Sequence, residues 1–291
     1  MRDEPAAPRA LGTLLAELAA ELEGAGVALA RDEARDIVAA VLDVPRFWPV
    51  ANRDALVDAT AVDEARHAAA ARRRGAPFAY AVGRAAFRHL TLAVDERVLI
   101  PRQETEVLVD LVLEAQAGGR GTVVDIGTGS GAIALALATE GQFDRVIATD
   151  VSRDALAVAD SNAAFLRDDL RAPVEFVHGS LLAPVANLRV DAVVSNPPYI
   201  AFGELEELPP SVRDWEPPLA LLSGEQGLAT TRAIVRDSRA VLEPGGLLAL
   251  EVDTRRASLV AEAIATDGSY CDIAVHLDLT GRERFVLARR R

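Results

Sequence analysis

The chain has 291 residues, half of them hydrophobic, enough for one large domain or two, each with its own core. Its formal net charge of −13 argues against a general nucleic-acid binder, which needs clustered positive charge to meet phosphate. No lysine occurs anywhere, so Schiff-base and lysine-nucleophile chemistries are excluded.

Met1 to Pro8 is charged and carries proline, with no apolar signal core, and no apolar run in the chain is long enough to cross a bilayer. The expectation is a soluble, cytoplasmic protein. Leu11, Leu14, Leu15, Leu18 and Leu22 recur at helical spacing and predict a first helix. Asp32 is placed to cap a second through Ile37, Val38, Val41 and Leu42, and Val62 to Arg74 reads as a third, stopped by Gly75 and Pro77. Residues 1–76 thus read as a small helical bundle, and their position ahead of a linker suits recognition of a partner. Tyr80, Val82, Phe87, Leu90, Leu92, Val94 and Val98 suggest two short strands, a hairpin linker over residues 77–100. Pro101 sits where a helix can begin, and Val107 to Leu113 continue it.

From Gly121 strand and helix patterns alternate. Strands are expected at Val123 to Ile126, Val146 to Thr149, Val174 to Val177, Ala192 to Val194 and Leu247 to Val252. Helices are expected at Ile133 to Ala138, Ala155 to Phe165, Leu228 to Leu242 (ended by Pro244-Gly245-Gly246) and Leu259 to Ile264. Ile273 to Leu277 and Phe285 to Ala288 close the chain with little helix between them, which predicts an antiparallel pair. Residues 101–291 therefore read as an α/β domain, a mostly parallel sheet covered on both faces with an antiparallel last strand. The lone Cys271 rules out an intrachain disulfide or a multi-thiolate metal site and fits a reducing compartment. The four histidines show no metal-ligand spacing, so no metal is expected.

Three constellations carry chemistry. Asp125-Ile126-Gly127-Thr128-Gly129-Ser130-Gly131 lies at the turn from the first strand of this domain into its helix. Glycines there let backbone approach a ligand closely, beside the free N–H groups of a helix start. Gly127, Gly129 and Ala132 meet the spacing of a dinucleotide fingerprint. The alternative is a nucleoside-binding turn, favoured by Asp125, whose carboxylate suits the ammonium of a methionine moiety better than a pyrophosphate. A plain tight turn is the third possibility. Asp150 ends the next strand, where an acid can meet ribose hydroxyls or cap a helix. Asn196-Pro197-Pro198-Tyr199 follows the apolar run Val190 to Val194. Two prolines fix this corner and push Asn196 into an extended conformation. The Asn196 side-chain oxygen and nearby carbonyls are then free to accept hydrogen bonds from a planar NH2 group, with Tyr199 as a flat wall.

In this order, Asp125, the glycines, Asp150 and the Asn-Pro-Pro-Tyr corner resemble a class I S-adenosylmethionine-dependent methyltransferase of the amino-methylating kind. Pro77, Tyr80, Gly83 and Phe87, then Ile100-Pro101-Arg102 with Glu104-Thr105-Glu106, are similar to the linker of the release-factor glutamine methyltransferase family (PrmC/HemK). Glu216-Pro217, Gly224-Glu225 with Gly227-Leu228, and Leu279, Gly281, Arg282 and Arg284 resemble that family's later segments. The resemblance implies a Rossmann-like class I methyltransferase sheet, S-adenosyl-L-methionine as cofactor and S-adenosyl-L-homocysteine as product. It implies methylation of the Gly-Gly-Gln glutamine of class I peptide chain release factors; a monomer is expected, and the acidic balance and the lack of a long apolar run predict no direct nucleic-acid or membrane contact. Carried over by position, Asp125, Gly127, Thr128, Gly129, Ser130, Gly131, Asp150, Leu181 and Asn196 contact the cofactor. Asn196, Pro197, Pro198 and Tyr199 hold the glutamine. In catalysis Asn196 Oδ1 and the Pro197 carbonyl accept its amide hydrogens, and Tyr199 restrains its plane. Arg102, Glu104 and Thr105 either line the mouth of the site or form a capped helix start with surface ion pairs.

Three departures stand out. Ser180-Leu181 replaces the family's Asp-Trp near the adenine, Gln103 replaces a proline, and Asp253 to Arg256 replace a Gly-x-x-Gln stretch. The rival acceptors are a ribosomal-protein glutamine and an adenine in nucleic acid; the rival of another class is a non-catalytic cofactor-binding assembly protein.

Overall fold

A computed structural model describes residues 8–291, so nearly all of the Met1 to Pro8 segment lies outside the described residues. The chain forms two compact units. One runs to Arg84 and includes Pro210–Trp215; the other comprises Ala85–Pro209 and Glu216–Arg291.

The first unit contains β1 (Arg9–Ala10), α1 (Leu11–Gly24), α2 (Ala30–Leu42), α3 (Trp48–Ala51), β2 (Leu56–Val57), α4 (Ala59–Arg73) and α5 (Phe78–Val82). Leu11, Leu14, Leu18 and Leu22 of α1 are fully buried with Ile37 of α2 and Val62 and Ala65 of α4. Asp32 does not cap α2. It lies inside the first turn, where it pairs with Arg35, and Leu29 holds the cap position in left-handed backbone. The third helix starts ahead of Val62 because Asp58 caps it, its Oδ1 accepting the Ala61 N–H at 2.9 Å. Tyr80 and Val82 belong to a helix rather than a strand. Pro77 precedes α5, and Gly83, at φ +71°, closes it in the left-handed conformation that glycine adopts freely.

Then come β3 (Arg84–Phe87) and β4 (Leu90–Ala93), paired with each other and shorter than the strand pattern suggested. The second unit continues with α6 (Gln103–Ala115), β5 (Thr122–Ile126), α7 (Ala132–Glu140), β6 (Arg145–Asp150), α8 (Arg153–Phe165), β7 (Val174–His178) and β8 (Val190–Ser195). The short helix α9 (Pro210–Arg213) belongs to the first unit; in the second, α10 (Pro218–Leu221) and α11 (Gly224–Gly227), a turn left-handed at Glu225, Gln226 and Gly227, precede α12 (Ala229–Val241), β9 (Leu242–Glu251), α13 (Ala257–Asp267), β10 (Tyr270–Leu277) and β11 (Glu283–Arg290). Seven strands form one sheet in the order β10-β11-β9-β8-β5-β6-β7. The pairs from β9 to β7 are parallel, and β11 runs antiparallel to both β9 and β10.

The central strands read as unbroken apolar runs because helices cover both faces. Val123, Leu135, Ala148, Ala192 and Val194 belong to one buried cluster, and Val124, Ile147, Val193, Ile234 and Leu248 to the other. One boundary differs from expectation. α12 ends at Val241 and β9 already begins at Leu242, so Pro244-Gly245-Gly246 lies within the strand. The β8–β9 register jumps there, from Val190↔Leu242 to Ala192↔Leu247, so the surplus residues bulge. A bulge is where a strand tolerates proline and glycine.

β5 pairs with β6 on one side and β8 on the other, with Ile126 opposite Thr149 and Ser195 at the carboxyl ends. The chain order reverses at β5. That switch point opens a crevice at the strand ends, where α/β sheets bind ligands.

Candidate active site

The turn leaving β5 is held from several sides. Gly127 and Thr128 both donate their N–H groups to the Thr149 carbonyl of β6, at 2.8 and 3.0 Å. The Gly129 N–H donates to Asp150 Oδ2 at 2.9 Å, while Asp150 Oδ1 accepts from the Ser152 N–H at 2.8 Å. Gly127, Gly129 and Gly131 have φ of +70°, +56° and +84°, which a residue with a Cβ adopts only under strain. A Cβ on Gly127 or Gly129 would meet no protein atom, so the bare backbone there faces open space. At Gly131 it would press on Leu135 and Ala159 at 3.0 and 3.3 Å, so this glycine serves packing. Asn162 of α8 ties the turn to β4: it donates to the Ser130 and Ala93 carbonyls at 2.9 and 3.0 Å and accepts the Ala93 N–H at 2.7 Å.

Asp125 is fully buried under this turn's sequence. Its Oδ2 accepts the Thr128 hydroxyl at 2.6 Å, and its Oδ1 has no hydrogen-bond partner among the described residues. Burial pushes its carboxyl up to about 7, against the lowering pull of the Thr128 hydroxyl and of the Ala134 backbone N–H. A buried, half-satisfied carboxylate is costly unless a cation completes it.

On the other side of β5, Ser195 ends β8 and donates to the Ile126 carbonyl at 2.7 Å. Asn196 follows. Its Nδ2 donates to Thr105 Oγ1 of α6 at 3.1 Å, and the Thr105 hydroxyl donates to Glu251 Oε2 at the end of β9 at 2.7 Å. Thr105 and Glu251 are both buried, and desolvation raises the Glu251 carboxyl to about 7. Tyr199 is partly buried, and desolvation, followed by the charge of Glu251, holds its phenol above the usual range, in the neutral form.

Between these two turns lies a cavity of about 390 Å³. Gly127, Gly129, Asp150, Leu181, Asn196 and Pro198 line it, with Val98, Ile126, Ser180, Pro217 and Leu222 among its other walls. A second hollow, of about 490 Å³ by Ala183 and Arg236, holds charges already paired: Arg236 with Asp237 and Arg239 with Asp267. Of the remaining residues singled out from sequence, Asp125, Thr128, Ser130, Gly131, Pro197 and Tyr199 are not among the cavity's walls. Neither are Arg102, Glu104 and Thr105. Arg102 pairs at 2.5 Å with Glu216, whose side chain is only 1% exposed, so its partner is no surface group. Glu104 is partly buried and raises Glu251 by its charge.

The sequence alone pointed to neither Glu251 nor Asn162, and it marked Glu216 and Arg256 only as part of the Glu216-Pro217 segment and of the Asp253 to Arg256 departure, without a role. Glu251 left one signal, an acid inside the apolar run Leu247 to Val252. Arg256 joins three segments: it donates to the Gln226 carbonyl at 2.6 Å and to Glu204 at 2.8 Å, and pairs with Asp253 at 3.1 Å.

Known proteins resemble this chain over nearly its whole length. The family model described as methyltransferase small domain matches residues 103–207, and that described as PrmC N-terminal domain matches residues 13–83. The release factor glutamine methyltransferase of Mycolicibacterium smegmatis is 40% identical over 285 residues, 96% of this chain and 98% of the relative. The chain belongs to the release factor glutamine methyltransferase family. The protein of the same name from Moorella thermoacetica is 44% identical over 221 residues, 76% of this chain and 77% of the relative. Among solved structures, a methyltransferase from Pyrococcus furiosus superposes with a TM-score of 0.52 at 18% identity, covering 70% of this chain and 90% of that one; it shares the fold. This family member is a methyltransferase, and S-adenosyl-L-methionine is the cofactor the family implies. The cavity fits it: open backbone at Gly127 and Gly129 and Asp150 at the next strand end line it, and the buried Asp125 lies outside its walls near the end of β5.

Proposed function

We propose that this protein transfers the methyl group of S-adenosyl-L-methionine to the side-chain nitrogen of the Gly-Gly-Gln glutamine in class I peptide chain release factors, leaving S-adenosyl-L-homocysteine and releasing one amide proton to solvent. The observation that carries this reading is the Asn196 carboxamide on the cavity wall, its Nδ2 already committed to Thr105. The side-chain oxygen is thereby the group available to an incoming NH2.

When bound, the cofactor supplies an electrophilic methyl group on a sulfonium. Gly127 and Gly129 would lie against it through bare backbone, with Asp150 toward its ribose hydroxyls and Leu181 as apolar cover. Asp125 would complete its shell with the cofactor's ammonium, an exchange that returns the carboxylate to its ionised form. The acceptor amide nitrogen is a poor nucleophile because its lone pair is delocalised into the carbonyl. Asn196 Oδ1 and the Pro197 carbonyl accept its two hydrogens and fix its direction. These acceptors bind more strongly as the nitrogen becomes positive, so they favour the transition state over the ground state. Tyr199, neutral and part of the same stiff corner, restrains the amide plane. Arg102, held by Glu216, and Glu104 stand at the mouth of the site.

In this reading the protein acts as a cytoplasmic monomer on a protein partner, without nucleic acid or membrane. The helical domain over 1–76 recognises the release factor, and 77–100 links it to the catalytic domain over 101–291. Transfer of labelled methyl groups tests the reading. Incorporation into purified release factor, and not into ribosomal protein or DNA offered in parallel, is the expected result. Label in either alternative acceptor with none in release factor would overturn it.

A further inference from the structure

We propose that Thr105 and Glu251 are positioning residues that decide which end of the Asn196 carboxamide faces the acceptor nitrogen. The inference deepens the proposed function and rests on Asn196 as the group that meets the glutamine amide.

A carboxamide is nearly symmetric in shape and opposite in polarity at its two ends, so rotating it by half a turn exchanges an acceptor for two donors. The fold must choose. A threonine hydroxyl has one proton and two lone pairs. Thr105 gives its proton to Glu251 Oε2 at 2.7 Å, in a site where both side chains are buried. Only lone pairs then remain toward Asn196, so the amide must offer Nδ2, at 3.1 Å. Oδ1 is left for the substrate. A carboxylate is an acceptor only, and that one-way character sets the direction of the whole relay. With Glu251 protonated, the relay can run backward: Glu251 donates to Thr105, Thr105 donates to Oδ1, and Nδ2 faces the donor hydrogens of the incoming amide. Two sets of donors cannot bond, and the clamp fails.

The charges around Glu251 are mixed. Arg284 of β11 and Arg102 favour its ionised form; Glu104 of α6 opposes it, and Tyr199 lies within its field. With the carboxyl at about 7, both states of the relay are reached near neutrality.

The test uses the full-length protein with saturating cofactor, so that Asp125 is partnered and does not titrate into the measurement. Thr105→Val removes the relay and should lower kcat about tenfold, the value of one net hydrogen bond, with cofactor binding unchanged. Thr105→Ser keeps the hydroxyl and should restore kcat. Wild-type kcat should fall below about pH 7, and the fall should vanish in Glu251→Gln, which does not titrate. Wild-type kcat in Thr105→Val, or an acid limb that survives in Glu251→Gln, would overturn the proposal. Should the wild-type enzyme modify no release factor, the proposed function fails by itself, and a structural readout still decides this one. The Asn196 side-chain NH2 resonance of the cofactor-free protein, identified by its loss in Asn196→Ala, should move with the Glu251 titration and be pH-invariant in Glu251→Gln. A wild-type resonance that does not respond to pH would sink the relay.

Discussion

Two side chains with opposite needs define the site at the residue scale. Asn196 donates through Nδ2 to Thr105, and among the described residues no hydrogen bond to its Oδ1 stands against that direction. Its loss should therefore act on chemistry rather than on cofactor binding: Asn196→Ala is expected to lower kcat about 10²-fold or more, as removal of one preorganised transition-state hydrogen bond does. Steady-state kinetics beside direct cofactor titration checks the split. Asp125 is the reverse case, a group held in an unfavourable state until a ligand arrives. It is fully buried, lacks a hydrogen-bond partner at Oδ1 among the described residues, and has its carboxyl raised to about 7. Asp125→Asn keeps the shape and removes the buried charge. Above neutral pH the cofactor-free variant should melt at a higher temperature than wild type, yet bind cofactor more weakly. Paired thermal melts and isothermal titration read both effects, and a variant that gains stability without losing affinity would remove Asp125 from the cofactor's shell.

At the scale of elements, the site is a set of loops pinned by long-range polar contacts. Arg256 joins the turn Phe202–Glu207, the left-handed turn through Glu225, Gln226 and Gly227, and the start of α13. A Cβ on Gly227 would lie 2.2 Å from the Tyr199 carbonyl, so that turn presses on the Asn-Pro-Pro-Tyr corner itself. Removing one partner from a buried ion-pair network typically costs about 3 kcal/mol. Arg256→Ala should destabilise the protein by that order in chemical denaturation and also lower kcat, because the corner loses its support. The same contacts explain what could be read in advance. The central strands were legible because burial on both faces leaves unbroken apolar runs, and the glycine turn because its positive φ angles demand glycine. Asn196 was legible because two prolines after a strand leave few conformations. Thr105 and Glu251 could not be joined on paper, since 146 residues separate them. Thr105 therefore read either as a group at the site mouth or as part of a capped helix start with surface ion pairs, whereas its side chain is buried and accepts from Asn196. The start of β9 was hidden because Pro244-Gly245-Gly246 reads as a stop signal, and only pairing with β8 makes it a bulge. Tyr80 and Val82 alternate like a strand, yet Pro77 and Gly83 bracket one helical turn.

For the whole molecule, two raised carboxyls make stability depend on pH in an uncommon direction. Asp125 and Glu251 both bind protons more tightly folded, at about 7, than in the unfolded chain, where ordinary values are about 4. Their contribution is fully present below about pH 4 and is lost as pH rises toward 7 and beyond. Denaturant titrations of the cofactor-free protein across that window should show this loss, smaller in Asp125→Asn and in Glu251→Gln; equal slopes in all three would contradict the assignment. The helical unit offers a different handle. Leu29, Phe47, Val50 and Leu56 are exposed on it, and Arg35 and Arg46 lie over the Phe47 ring at 4.9 and 5.8 Å. If this unit holds the release factor, Phe47→Ser should raise KM for it about tenfold, the scale of a modest interface hot spot, and leave kcat and cofactor affinity unchanged.

Peptide mass spectrometry of release factor incubated with this protein and S-adenosyl-L-methionine tests the central claim most directly. One added methyl group on the glutamine side chain of Gly-Gly-Gln, formed far more slowly with Asn196→Ala, is the predicted result. An unmodified glutamine, or a methyl group on any other residue, would contradict it.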